Sequence, residues 1–295
     1  MKTAPVLTRI QVRNILYCTD LSDTASHALP HAAAIAKHFG STLRALHVRP
    51  ALQPTWTFSI GIPVTREFTD DELREYIENK LKAFSGVRND VIIANEGDIW
   101  LAVQTAIQIN EIDLIVLSSH GRTGLSKVLL GSVAEEILRL APCPVLTVGP
   151  HAAVDTSRLR GFSKILYATD FRPETSAAAH YAVSFAQEFH AHLTLLHVLA
   201  ESEPGDLVIP AELQSGTEHL LRQIVPAESD MWCEPQVIVR QGVASDKILD
   251  VANQCETDLI VLGVHRPSGV ATRLPIATAH KVISRATCPV LTVRG

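Results

Sequence analysis

DLIVLSSHGRTGLSKVLLGSVAEEILRLAPCPVLTV, residues Asp113–Val148, returns later in the chain as DLIVLGVHRPSGVATRLPIATAHKVISRATCPVLTV, residues Asp258–Val293. Each copy reads as strand, loop, helix and strand, and each closes on Cys-Pro-Val-Leu-Thr-Val. The first loop carries Gly121, Gly124 and the pair Gly131-Ser132. The second has Arg266 where Gly121 stands and Ile276-Ala277 where Gly131-Ser132 stand. Bare backbone at a strand end and at a helix start suits an anion, whereas bulk at the same places does not. The first copy therefore has the composition of a phosphate-holding loop, and the second that of a degenerate one.

The repeat extends upstream. Asn14–Leu21 (NILYCTDL) matches Lys164–Phe171 (KILYATDF), and Leu46–Val48 matches Leu196–Val198, both 150 positions apart. Gly97/Gly242, Asp113/Asp258, His120/His265 and Cys143/Cys288 are 145 apart, so the second copy is five residues shorter between Val48 and Gly97. The chain of 295 residues thus divides into two domains, 1–149 and 162–295, each large enough for its own core. The joint Gly149–Ser163 is small and polar, with Pro150 and Gly161 as punctuation. A period this long signals tandem duplication and not a solenoid.

Short apolar runs alternate with helical patterns. Val12–Thr19, Leu43–Val48, Val91–Ala94, Leu114–Ser118 and Val145–Val148 read as strands. Ser22 caps a helix expected to run to Phe39 and stop at Gly40. Asp70–Phe84, Ile99–Ile109 and Ser132–Leu140 read as further helices. Buried strands joined by helices make a parallel sheet covered on both faces with right-handed crossovers. The expected class is α/β: two tandem doubly wound, Rossmann-like domains, each with a five-stranded parallel sheet flanked by helices. Ligands in that architecture sit beyond the carboxyl ends of the strands, at the switch point. Thr19-Asp20, the end of Leu46–Val48 and the loop Ser118–Gly131 converge there.

Gly121 follows a strand, and Gly131-Ser132 opens a helix whose first N–H groups lack intrahelical partners. The Ser132 hydroxyl is placed to cap that helix or to donate to a phosphate oxygen. Arg122 and Lys127 add mobile positive charge, and Asp20 offers a carboxylate for ribose hydroxyls or an adenine amine.

The stretch SHGRTGLSKVLLGSVAEEILRLAPCPVL and its surroundings resemble the universal stress protein family, once per domain. Nucleotide-binding members carry G-x2-G-x9-G-[ST] after the fourth strand. Here the pattern is S-x2-G-x9-G-S, through Ser118, Gly121, Gly131 and Ser132. The resemblance implies ATP or AMP, with Mg²⁺ or Mn²⁺ bridging phosphates. It implies Asp20 and the Val48 backbone at adenine and ribose, and Leu117 and Ser118 on the ribose side. Gly121, Gly131, Ser132 and Val133 would face the phosphates, with Thr19 orienting the turn. Two positions depart from the pattern: Ser118 replaces the first motif glycine, and Cys18 stands where many members have proline. In the second domain Asp170, Val198 and Gly263 persist as a possible nucleoside pocket. Family resemblance also implies association through the last strands, Val145–Val148 and Val290–Val293, within one chain or between two.

Other features bound the function. A net charge of −5 gives no general attraction to nucleic acid or to an anionic membrane. MKTAPVLTRIQV has no apolar leader core, and no apolar run reaches membrane-spanning length. Five cysteines without a C-x-x-C pair read as reduced thiols of a cytoplasmic protein. His27 and His31 lie i, i+4, and His190, His192 and His197 cluster, but no cysteine or carboxylate stands at zinc spacing, so no metal site is expected. His120 reads as a loop-fixing residue, His47 and His197 as half-buried structural ones. Trp56, Phe58 and Ile60 read as an ordinary loop packed on the domain.

The expectation is a nucleotide-dependent sensor or regulator of the stress response, with no catalytic residue assigned and at most slow ATP hydrolysis. Two alternatives remain open: a non-nucleotide interaction scaffold, and a weak phosphotransfer or hydrolytic enzyme using His120 or Asp20.

Overall fold

The computed structural model describes residues 10–49, 68–95, 97–120, 130–152, 161–173, 176–200, 209–225, 234–264 and 274–295. In the first half, β1 (Asn14–Cys18), β2 (Thr42–Val48), β3 (Arg88–Ala94), β4 (Leu114–Ser118) and β5 (Val145–Val148) alternate with helices. These are α1 (Asp23–Ser26), α2 (Leu29–Phe39), α3 (Asp70–Leu81), α4 (Ile99–Asn110) and α5 (Ser132–Leu140). The second half has β6 (Lys164–Thr169), α6 (Ala177–Phe189), β7 (His192–Leu199), α7 (Ala211–Arg222) and β8 (Gln236–Gln241). It continues with α8 (Ala244–Gln254), β9 (Leu259–Val264), α9 (Leu274–Arg285) and β10 (Val290–Arg294). Within each half every strand pairing is parallel, in the order β3-β2-β1-β4-β5 and its counterpart β8-β7-β6-β9-β10. The α/β doubly wound class expected from the sequence is thus what the chain adopts.

The two half-sheets are continuous. β5 runs antiparallel to β10, with Leu146 opposite Leu291, and the result is one ten-stranded sheet. Alternation along the strands sends side chains to two apolar layers. Ile15, Tyr17, Val116, Leu146 and Leu291 meet α2 and α6 residues in one layer; Leu16, Ile115, Val145 and Val290 meet α4, α5, α8 and α9 residues in the other. Both layers cross the junction without interruption.

One expected element is broken. The helix from Ser22 to Phe39 is two helices, parted at His27-Ala28. Pro30 lies at the start of α2 and has no N–H with which to continue the ladder from α1. Ser22 does cap α1, accepting from the Ala25 N–H at 3.1 Å, and Gly40 closes α2 at φ 66°. α3 begins with a full capping box, Thr69 and Glu72 satisfying each other's backbone N–H groups.

Gly149, at the end of β5, has no room for a side chain: a Cβ there would lie 2.3 Å from the Ile283 carbonyl oxygen of α9. Since the obstacle is helix backbone, Gly149→Ala should force the junction apart. The expected cost is about 1–3 kcal/mol, read as a lowered urea midpoint; an unchanged midpoint would show that α9 is not packed so closely.

Burial of His31 on α2 pushes its pKa down to about 4 from 6.5. Below pH 6.5 the unfolded chain gains a proton that the folded chain refuses until about pH 4, so stability is lost as pH falls through that window. The loss should be about 2–3 kcal/mol. Urea titrations at pH 7 and pH 4.5 should show a flatter dependence for His31→Gln than for the wild type.

Candidate functional site

The switch point of the first half lies where β1 sits between β2 and β4. The chain leaves β1 through Thr19, whose N–H donates to the Leu46 carbonyl at 3.0 Å. Leu21 then takes a left-handed conformation, φ 68°, which is costly for a side chain of that kind. Three local bonds hold it. The Leu21 N–H donates to Thr19 Oγ1 at 3.0 Å, and the Ser22 N–H and hydroxyl both donate to Asp20 Oδ1, at 3.0 and 2.6 Å. His47, one residue before the end of β2, is 3% exposed and bonds the Thr19 carbonyl through Nδ1 at 2.9 Å. A carbonyl only accepts, so Nδ1 carries the proton. His47 is more deeply buried than the half-buried position expected for it.

The other side of the site is the join between β4 and α5. The Ser119 N–H donates to the Val148 carbonyl at 2.9 Å, and the Gly131 N–H donates to the Ser119 carbonyl at 2.9 Å. The second bond ties the start of α5 to the end of β4. The first bond inside α5 is Glu135 N–H to Gly131 carbonyl, 2.9 Å, so the N–H groups of Ser132, Val133 and Ala134 precede the ladder. Ser132 is the first helical residue and Gly131 the N-cap, with no side-chain cap. The capping role expected of the Ser132 hydroxyl is therefore corrected, and that hydroxyl stands exposed at the helix mouth. A Cβ on Gly131 would meet the Ser119 carbonyl oxygen at 3.1 Å. The bare α-carbon thus serves close packing of helix on strand end.

Leu117 is buried beneath the site, and Ser118 Oγ is directed to the Val148 carbonyl at 3.4 Å, a weak bond. Val48 is half-buried at the tip of β2. His120 Nδ1 lies 2.8 Å from Ser119 Oγ, which pins the residue that accepts from Gly131. Gly121, Arg122 and Lys127 lie outside the described residues, as do His265, Arg266 and the Trp56, Phe58 and Ile60 segment. Burial pushes the Cys18 thiol up to about 12, with Cys143 adding to the effect, so Cys18 is a neutral thiol at the back of the site. Among the described residues, no group of three His, Cys, Asp or Glu side chains could hold a metal ion.

The second half repeats the frame with different contents. Thr169 Oγ1 accepts from Phe171 N–H at 3.0 Å, Phe171 is left-handed at φ 60°, and His197 Nδ1 bonds the Thr169 carbonyl at 2.8 Å. Arg172 replaces Ser22, and its guanidinium lies 3.4 Å from Asp170 Oδ2. Asp170 is exposed where Asp20 is half-buried; Val198 and Gly263 lie one residue before the ends of β7 and β9, whereas Val48 and Ser118 end β2 and β4. α9 begins at Leu274, three residues ahead of Ala277, the counterpart of Ser132. Positions 276 and 277 are therefore inside a helix, and no glycine opens it.

The Ser22 hydroxyl and the His47 ring are the supports that the motif alone does not mark. Ser22→Ala removes both the cap of α1 and a donor to Asp20; it should cost about 1 kcal/mol, seen in thermal unfolding. No loss of stability would mean that the Asp20 turn is held by other contacts.

A family model described as the universal stress protein family matches residues 11–149 and again 161–294. Universal stress protein Rv2005c of Mycobacterium tuberculosis is 27% identical over 261 residues, covering 85% of this chain and 87% of that protein. The crystal structure of a universal stress protein from Archaeoglobus fulgidus shares the fold across 97% of this chain and 99% of that one, with TM-score 0.66 at 21% identity. A universal stress protein solved in complex with cAMP is similar to 45% of this chain, at 18% identity and TM-score 0.36.

Proposed function

The chain belongs to the universal stress protein family, and we propose that its first half binds an adenine nucleotide, ATP or AMP, at the carboxyl ends of β1, β2 and β4. The observation that supports this reading is the Gly131–Ser119 bond, which ties the leading N–H groups of α5 to the end of β4, the strand paired with β1. Partial positive charge at a helix start and free donors favour a phosphate. Asp20 and the Val48 backbone would hold adenine and ribose, with Leu117 and Ser118 beneath the sugar. Gly121, Arg122, Gly131, Ser132 and Val133 would face the phosphates, and Thr19 would fix the turn. A divalent cation would be held through the phosphates, since the described side chains form no cage for it. The cAMP of the other family member belongs to that protein, and the reading here stands on the residues of this chain.

The role that fits is a nucleotide-dependent sensor or regulator in the cytoplasm, with hydrolysis slow at most. Cys18, Cys143, Cys255 and Cys288 are free thiols, as suits a reducing compartment, and no described helix is long and apolar enough to cross a membrane. The two halves would pair through β5 and β10 within one chain. The second half, with Arg172 on Asp170 and α9 extended across the phosphate position, would bind such a nucleotide weakly.

Ser132→Pro tests the cradle without adding bulk. Proline is favoured at the first helical position, and Gly131, at φ −62° and ψ 145°, has the conformation that a residue before proline prefers. The substitution deletes one N–H aimed at the phosphates. Calorimetric titration with ATP, ADP and AMP, with and without Mg²⁺, should show one site per chain. ATP affinity should fall roughly tenfold or more in the variant. No binding to the wild type would favour the interaction-scaffold alternative; equal affinities would remove α5 from the site.

A further inference from the structure

The register of β5 and β10 has a symmetry that the sequence repeat makes visible. Leu146 faces Leu291, and these two residues are each other's counterparts, 145 positions apart. A pseudo-two-fold axis therefore passes through this pair, and any residue near the axis must face its own counterpart in the other half.

On one face of the sheet the axis runs between α2 and α6. His38 Nε2 lies 3.5 Å from Glu188 Oε2, and the two residues are counterparts, 150 positions apart. Beside them Phe39 meets its counterpart Phe189, ring centroids 6.0 Å apart, and the His38 ring lies tilted against Phe189, centroids 4.1 Å apart. On the opposite face the axis runs between α5 and α9. There Glu135 and His280 are counterparts, 145 apart. The negative charge of Glu135 acts on the His280 ring, against the burial that lowers its pKa. His280 Nε2 is buried without a hydrogen-bond partner among the described residues.

Each face thus has an imidazole and a carboxylate at counterpart positions, in contact at His38–Glu188, and in opposite order: the first half supplies His then Glu, the second Glu then His. Suppose instead that the first half met a second copy of itself. Glu135 would then face Glu135. If the second half met its own copy, Glu188 would face Glu188. Only the union of unlike halves keeps two carboxylates from meeting on the axis. This holds near neutral pH whether or not the imidazoles are protonated. Like charges set opposite each other are an effective means of rejecting a wrong partner.

We propose that His38–Glu188 and Glu135–His280 act as a complementarity code at the pseudo-two-fold axis, selecting the pairing of the two unlike halves and rejecting a like half of another chain. The apolar contacts of β5, β10 and the phenylalanines supply adhesion that any pairing of these halves would share. The four polar residues supply the choice between pairings. The short joint between the halves then favours closure within one chain through effective concentration.

The test uses the full chain at pH 7.5. In the variant E188H/H280E the second half copies the first at both positions, so the junction holds one imidazole pair and one carboxylate pair. Its folding constant from urea unfolding should drop by at least about fivefold. The quadruple variant H38E/E135H/E188H/H280E restores opposites with reversed polarity, and should return to within about twofold of the wild type. Should E188H/H280E fail to fold, a folded quadruple variant would still report the rescue. A quadruple variant no more stable than E188H/H280E, or an E188H/H280E variant as stable as the wild type, would overturn the proposal.

Discussion

The hydrogen bond from the Gly131 N–H to the Ser119 carbonyl is the constraint on which the candidate site of the first half depends. A parallel sheet leaves strand carboxyl ends and helix amino ends on one rim, but it does not by itself bring them together. Here a backbone bond draws the start of α5 onto the end of β4. The absence of a Cβ at position 131 spares the Ser119 oxygen a crowded contact of 3.1 Å. On the far side of β1, Ser22 and His47 hold the Asp20 turn in a left-handed kink that leucine would not adopt unaided. The site is thus backbone geometry imposed from two sides, with few side chains committed to it.

Much of this is legible in the residues. Apolar runs of strand length locate β4 and β5 at their observed bounds, because buried parallel strands need no alternation. Gly40 marks a helix end for the same reason that it adopts a positive φ. Pro30 could have been read as the break between α1 and α2, yet a proline near a helix start is also tolerated, and only tertiary packing chose between the two. The early start of α9 is harder to foresee. Leu274-Pro275 satisfies the rules for a helix opening, but nothing local says that it overruns the position matching Ser132. The reason for a glycine at 131 also changes on sight of the fold: a Cβ there would crowd the Ser119 carbonyl oxygen at 3.1 Å.

The two halves diverge by small substitutions on a shared frame. Thr19/Thr169 and His47/His197 make the same bonds at nearly the same lengths, 2.9 Å and 2.8 Å for the histidines, so the turn geometry survives duplication. Ser22 becoming Arg172 changes what surrounds the aspartate, and the glycine-free opening of α9 changes how that helix begins relative to α5. The stability of the whole belongs to neither half alone. Both apolar layers pass through the β5–β10 junction, so the frame of the first half is braced by the second. Residues on the axis carry meaning only once the register of Leu146 with Leu291 is known, which is why His38 and Glu188 look unremarkable in the sequence.

Backbone amide NMR during ATP addition tests the central claim most directly, because it reads each half separately. The account requires the amide signals of Ser132, Val133 and Asp20 to move together and saturate at one equivalent, while those at the start of α9 and at Asp170 stay in place. Shifts confined to the second half, or none at Ser132 and Val133 under saturating nucleotide, would contradict it.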